Sequence, residues 1–297
     1  MRSKRHIPID PSSRVEDRQG DASRDDGTHE IASDVAYKRL AVVNVVFLGF
    51  PVSSDWVLVD AGVHGSTTLI ASAAEERFQM PPRCIVLTHG HFDHAGTLPA
   101  LAQRWNVPIY AHQMEHPYLN GSASYPPPDP SVGGGLMARL SPFYPRGRVD
   151  LRPWLRQLPD DHTVPGMPDW TWIHTPGHTP GHVSLWRASD RSLIAGDAFC
   201  TTRQESAYSA MTQHLELHGP PMYFTQDFEA AHRSIERLAA LEPDLAIAGH
   251  GRPVQGADLR AGLYELAINF DIVAVPEGGR YVKHPARIED GTAYDRP

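Results

Sequence analysis

The pattern of apolar and polar positions changes character at residue 35. Residues 1–34 are rich in charge and nearly devoid of apolar periodicity. A segment of that kind cannot bury enough surface to offset the entropy of ordering, so it is expected to be disordered or loosely docked. Residues 35–297 are expected to form a single domain. The β-branched runs at 41–48 and 56–60 predict two strands joined by a short turn of Pro, Ser and Asp. Gly65 and Ser66 then introduce a helix running through Leu69, Ala73 and Phe78. The run Cys84-Ile85-Val86-Leu87 predicts a buried strand, residues 98–105 a second helix and 107–112 a further strand.

Residues 120–169 break this rhythm. They hold Tyr125-Pro126-Pro127-Pro128-Asp129-Pro130 and Gly133-Gly134-Gly135, and a long insert of that composition is expected to wall a substrate pocket. Strand character resumes at 170–174, with Trp170 and Trp172 on one face, and continues at 183–186 and 193–195. Trp170, Trp172 and Trp186 are expected to pack in the core. Asp227 caps a helix whose apolar residues Phe228, Ala231, Ile235 and Leu238 follow helical spacing. A buried strand at 245–248 and a helix at 257–270 complete the pattern. The tail from about 271 has a turn-then-strand look at 276–282 and is expected to dock back on the domain. Strands alternating with helices indicate an α/β (α+β) layered fold.

Composition narrows the function. The net charge of −8 and a pI near 6.1 disfavour a surface that neutralises phosphates, so a small-molecule substrate is expected, with no nucleic acid and no membrane as partner. Cys84 and Cys200 form no CxxC pattern, which suits a reducing compartment. The longest apolar run, residues 40–51, is too short to span a bilayer. Residues 1–5 look like the charged start of a signal peptide, but no apolar stretch follows. A cytoplasmic location is expected. A homodimer is left open.

The candidate chemistry starts at Thr88-His89-Gly90-His91-Phe92-Asp93-His94-Ala95-Gly96, directly after the third strand. Three imidazoles and a carboxylate fall within six positions. On an extended backbone His89 and His91 point the same way, while Asp93 and His94 face a second point once the chain turns. That spacing suits two neighbouring metal ions. Three further segments place a polar ligand after a short apolar strand: residues 174–182, reading HTPGHTPGH; Gly196-Asp197-Ala198-Phe199; and Gly249-His250-Gly251. Two metals need about seven protein ligands. His89, His91, Asp93, His94, one of His178 or His182, Asp197 and His250 supply that number. His214 and His218 show the i, i+4 spacing of a helix-borne metal pair, but with the main set complete a surface or pocket-lining role is expected for them.

HGHFDH, the TPGH turn, the GDAF turn and the final GHG resemble, in that order, the metallo-beta-lactamase superfamily, over roughly residues 40–255. The resemblance implies an αββα sandwich of two mixed sheets flanked by helices, with metals at one edge. It places His89, His91 and His178 on one metal, Asp93, His94 and His250 on the other, and Asp197 between them. His182 is then a supporting residue, and Asp60 a carboxylate that orients a ligand imidazole. The cofactors implied are two divalent ions, zinc in the first instance, with iron or manganese as alternatives. The chemistry implied is attack by a metal-bridging hydroxide on the carbonyl of a small-molecule ester, lactone or thioester, with Asp93 as the catalytic carboxylate that orients it.

Asp197 stands where the β-lactamases of the superfamily carry Cys or Ser, so the chain is more similar to the glyoxalase II and lactonase-like branch. Lactonases carry a Tyr where this chain has Cys200, and Tyr118, Tyr125, Tyr208 and Tyr223 are the candidate substitutes. The basic C-terminal region of glyoxalase II has no clear counterpart among Arg252, Arg260 and Arg280. A β-lactam hydrolase and a mononuclear-iron, persulfide dioxygenase-like redox enzyme are the alternatives. A nuclease is disfavoured by the negative charge.

Overall fold

The computed structural model describes residues 6–15, 28–146 and 149–296. β1 (Ile7–Pro8) begins the described chain. A seven-stranded sheet follows, in the order β2 (Thr28–Ala32), β3 (Val35–Leu40), β4 (Val43–Leu48), β5 (Val57–Val59), β6 (Cys84–Val86), β7 (Ile109–Ala111) and β8 (Leu155–Gln157). Its first pairings, from β2 through β5, are antiparallel, and those from β5 to β8 are parallel.

A second sheet is formed from β9 (Thr163–Val164), β10 (Met167–His174), β11 (Val183–Arg187), β12 (Ser192–Gly196), β14 (Leu245–Ala248) and β15 (Val254–Gln255). Between β12 and β14 lies β13 (Glu216–Leu217), which pairs with β1.

The two sheets face each other across a layer that includes Val46, Leu48, Val59 and Val86 from the first and Trp170, Trp172, Leu185 and Ile194 from the second. Alternate residues Val45, Phe47, Leu58 and Ile85 point outward onto α1 (Thr67–Arg77) and α3 (Leu98–Trp105). Here α2 is the short turn Phe92–Ala95. On the far side, Leu193, Ala195 and Ala246 meet helices Phe228–Ala239 and Ala257–Ile268. Both faces of each sheet are therefore covered, which is why its strands read as near-continuous apolar runs. This is the expected αββα arrangement.

The differences from the sequence-based picture have local causes. The strand expected at 41–48 starts at Val43, because Ala41, with φ of +60°, and Val42 form a two-residue hairpin turn with Leu40 opposite Val43. Within the segment expected to be disordered or loosely docked, β2 pairs with β3, and Ile7 and Ile9 are buried against the C-terminal helices. Two isoleucines give no periodicity, but they are enough to dock a short stretch. Residues 1–5 and 16–27 lie outside the described residues. The tail at 276–282 is not a strand; Arg280–Lys283 form a helical turn whose Tyr281 hydroxyl donates to the Pro127 carbonyl at 2.5 Å. It does dock back, as expected. His214 and His218 sit in a loop and an isolated β-bridge to Cys200, so helical spacing never brings them together.

Asn44 is the one polar residue inside the β4 run, and it ties this sheet to the other. Its backbone N–H donates to Gly249 O at 2.8 Å, and its Nδ2 donates to Ala248 O at 2.9 Å and Gly251 O at 2.7 Å. Replacing Asn44 with Ala strands two buried carbonyls, so Asn44→Ala should lower unfolding free energy by about 1–3 kcal/mol in a denaturant titration. An unchanged midpoint would show that the Asn44 tie contributes nothing.

Candidate metal centre

Every expected ligand lies in a segment that follows a strand, on one edge of the sandwich. β6 delivers His89 and His91, the α2 turn carries Asp93 and His94, the loop between β10 and β11 carries His178, β12 ends at Asp197, and β14 leads to His250. All seven are buried. They form overlapping groups whose ligand atoms lie within 4.8 Å of one another: His89, His91 and His178; His89, His94 and Asp197; Asp93, His94 and His250.

The far nitrogen of most rings is already committed, which turns the near nitrogen toward the centre. Asp60 is the clearest case. Its backbone is held at φ of +60°, an uncommon conformation for a residue with a side chain. Its Oδ1 accepts from Thr88 N at 2.8 Å, and its Oδ2 accepts from Thr88 Oγ1 and His94 Nδ1, each at 2.8 Å. With its proton donated to Asp60, Thr88 Oγ1 accepts from His89 Nδ1 at 3.1 Å. His250 Nδ1 donates to Val42 O at 2.7 Å. Thr225 Oγ1 donates to Pro221 O and so accepts from His178 Nδ1 at 3.4 Å.

Asp197 sits among the remaining nitrogens. Its Oδ2 is 3.1 Å from His250 Nε2 and 3.5 Å from His178 Nε2, and its Oδ1 is 3.4 Å from His94 Nε2. Asp93 Oδ2 lies 3.5 Å from His250 Nε2. A Cβ at Gly249 would lie 2.1 Å from Asp197 Oδ1 and 2.7 Å from His94 Cε1, so only glycine fits beside this pair.

His182 is excluded from the ligand set by its own bonds. Its Nδ1 donates to Thr175 O at 3.1 Å, and its Nε2 accepts the Asp197 backbone N–H at 2.9 Å. Burial lowers its pKa to about 3, keeping it neutral. It positions Asp197, just as Asp60 positions His94.

The donor set fits divalent cations. His89 Nε2, His94 Nε2 and Asp197 Oδ1 are buried without a hydrogen-bond partner, and His91 Nδ1 points at His178 Nε2 across 2.9 Å. Such atoms are costly unless something binds them. Burial, then neighbouring imidazoles, holds His89 well below the ordinary histidine range; burial and His178 do the same for His91. Burial brings His178 down to about 4. These three rings offer lone pairs.

The other group behaves oppositely. Burial works against charging His94 and His250, but the carboxylates around them, Asp197 with Asp60 at His94 and Asp197 with Asp93 at His250, together outweigh it, and both pKa values rise. Burial likewise opposes ionising Asp197, yet His250 and His94 hold it well below the usual carboxylate range.

Residues 39–250 match the protein family described as the metallo-beta-lactamase superfamily. The chain belongs to that superfamily. It is 44% identical over 241 residues to the probable metallo-hydrolase YflN of Bacillus subtilis, spanning 80% of this chain and 91% of that protein. To the hydroxyacylglutathione hydrolase GloC of Haemophilus influenzae it is 27% identical over 122 residues, 41% of this chain and 52% of that one. Among solved structures, a beta-lactamase domain protein from Burkholderia ambifaria shares the fold with a TM-score of 0.59 at 22% identity, over 86% of this chain and 80% of that one. A metallo-beta-lactamase from Cronobacter sakazakii gives 0.56 at 20% identity, over 82% and 95%. The superfamily and the metal-ligating clusters make this chain a metal-dependent hydrolase. Among the described residues no helix is long and apolar enough to cross a membrane.

In this superfamily member the insert covers the metal edge. Val132 and Tyr144 from the insert pack with Phe92, Tyr223, Phe224 and Tyr281, and the Phe224 ring centroid lies 4.7 Å from that of His91. The four candidate tyrosines separate cleanly. Tyr118 donates to Ala293 O, Tyr125 donates to Glu115, and Tyr208 is exposed. The buried Tyr223 is the one whose hydroxyl feels both Asp93 and Asp197; burial first, then those charges among others, push its pKa well up. Cys200 is buried and its thiol is likewise pushed well up, by burial first and then by Asp197.

Thr88, Thr225, the Val42 carbonyl, Asn44 and Glu115 went unnoticed as supporting groups in the sequence. Thr88 alone had a signal, its place directly before His89.

Because their pKa values are raised, His94 and His250 hold protons more firmly than free imidazoles in metal-free protein, so a cation entering the Asp93–His94–His250 group competes with protons. Zinc titrations at pH 7 by calorimetry, in two buffers of different ionisation enthalpy, should show proton release. Affinity should fall as pH is lowered from 8 to 6, since protons then compete better. A proton-neutral, pH-independent titration would contradict this assignment.

Proposed function

We propose that this chain is a binuclear hydrolase acting on the carbonyl of a small-molecule ester, lactone or thioester, with zinc as the metal. The observation that carries this reading is Asp197, whose Oδ2 lies between His178 Nε2 at 3.5 Å and His250 Nε2 at 3.1 Å and whose Oδ1 lies 3.4 Å from His94 Nε2, so that its carboxylate meets imidazoles of both groups. His89, His91 and His178 would hold one cation; Asp93, His94 and His250 the second; Asp197 would lie between. When bound, such a pair lowers the pKa of water toward neutrality and polarises a carbonyl oxygen.

The protein's own groups do the rest. Asp93 lies in the first turn of α2, and burial raises its pKa despite His94 and His250. Its carboxylate can orient the attacking water, take a proton from it and return that proton to the leaving oxygen or sulfur. Tyr223, kept protonated, is the hydroxyl that can donate to the developing oxyanion. It comes from the loop before helix Phe228–Ala239, not from the position of Cys200. The aromatic wall of Phe92, Tyr144 and Phe224 keeps water away and suits an apolar acyl group.

Asp197 in place of Cys or Ser weighs against a β-lactam substrate, and the acylated-glutathione hydrolase among the relatives agrees with a thioester. Two free, buried cysteines agree with a cytoplasmic location.

Metal analysis and a substrate panel of lactones, thioesters, esters and β-lactams test the reading. Two zinc ions per chain are expected, with turnover of lactones, thioesters or esters ahead of β-lactams. His89→Ala and Asp197→Ala should each lose about 10³-fold or more in rate. Tyr223→Phe should lose about 10²-fold in kcat with KM little changed. A single iron with oxygen consumption would instead establish the dioxygenase alternative, and full activity in both ligand variants would refute the metal assignment.

A further inference from the structure

The two loops that carry His89, His91 and His178 come from different sheets, and one buried side chain joins them. Glu115 ends a 3₁₀ turn, Gln113–Glu115, directly after β7. Its Oε1 accepts from the Gly181 N–H at 2.8 Å and from Thr179 Oγ1 at 2.8 Å. Its Oε2 accepts from the Gly90 N–H at 2.9 Å and from the Tyr125 hydroxyl. Gly90 lies between His89 and His91; Thr179 follows His178. The carboxylate thus grips the backbone of both ligand loops at the seam between the sheets.

Two features make this more than a brace. The approach is so close that a Cβ at Gly181 would lie 2.7 Å from Glu115 Cγ, and one at Gly90 would lie 2.7 Å from the Tyr125 hydroxyl oxygen. The side chain therefore fixes where both loops run. Secondly, every partner of the carboxylate is a neutral donor, and among the described residues no Lys or Arg bonds to it. An anion buried without a countercharge is expensive for the fold alone. A cation held by the adjoining imidazoles would supply the missing charge.

We propose that Glu115 is a positioning residue for metal binding, setting the spacing of His89 and His91 against His178 and adding a buried negative charge that raises their affinity for a cation. The proposal is independent of which bond the enzyme cleaves. It gives Tyr125, from the insert, a role in holding Glu115, and it explains why the sequence has glycine at 90 and 181.

The test is metal binding, read apart from activity. Glu115→Gln keeps the size of the side chain and removes its charge. Its affinity for cobalt(II), measured by chelator competition, should fall about 10- to 100-fold. The visible cobalt absorption should shift, and because the amide nitrogen leaves one glycine N–H without an acceptor, the melting temperature of metal-free protein should fall only modestly, leaving a folded protein in which binding can be read. Wild-type affinity and spectrum in Glu115→Gln, with or without a lower melting temperature, would overturn the proposal and leave Glu115 a structural brace. Should that variant fail to fold, Tyr125→Phe combined with Thr179→Val provides a second arm. This pair deletes two donors and leaves the charge, so the loosened carboxylate should still shift the spectrum and weaken cobalt binding about tenfold. Parental affinity and spectrum in the folded double variant would equally overturn the proposal.

Discussion

A buried carboxylate needs compensation, and among the described residues Asp197 finds it in imidazoles. With His182 bound to its backbone N–H, and with His94, His178 and His250 around its oxygens, Asp197 is both the most constrained group at the edge and the point on which the ligand groups converge. The hydrogen bonds behind those rings follow from the same need. His94 is held by Asp60, His250 by the Val42 carbonyl, and His178 by Thr225. Each ring has spent its outer nitrogen on the protein and keeps its inner nitrogen for whatever sits at the centre.

The sandwich makes this arrangement rigid. Both sheets end their strands at the same edge, so ligands separated by more than a hundred residues meet there without a long loop. Cross-ties between the sheets then fix the register: Asn44 reaches the segment carrying His250, and Glu115 reaches the loops carrying His89, His91 and His178. Asp60 at positive φ stores local strain that its three hydrogen bonds outweigh. The insert and tail add a covering layer, tied together through Asp129, which accepts the Arg280 N–H at 2.5 Å.

Much of this was legible in the sequence because the ligands follow short β-branched strands and the chemistry is local. The HGHFDH turn shows both its strand and its donors at a glance, and the helices at 98–105 and 228–239 follow their periodicity closely. Choosing His178 over His182 rests on the family resemblance, since the two lie in identical TPGH contexts; in the structure both nitrogens of His182 already have hydrogen-bond partners. What stayed hidden were long-range partners. Glu115 stands in an unremarkable Gln-Met-Glu turn, and nothing near Asn44 announces a bond to a loop some two hundred positions away. The docking of Ile7 and Ile9 was invisible for a similar reason, because two apolar residues form no period. The His214 and His218 spacing is the converse case, a pattern that brings no pair together, since i, i+4 has meaning only on a helix.

The central claim is that one cage, centred on Asp197, holds two cations. Anomalous diffraction from crystals of zinc-loaded protein, recorded on both sides of the zinc edge, tests it most directly. Two peaks are predicted, one bounded by His89, His91 and His178 and the other by Asp93, His94 and His250, with Asp197 touching both. A single peak at full loading, or a peak ligated by His182, would contradict the account.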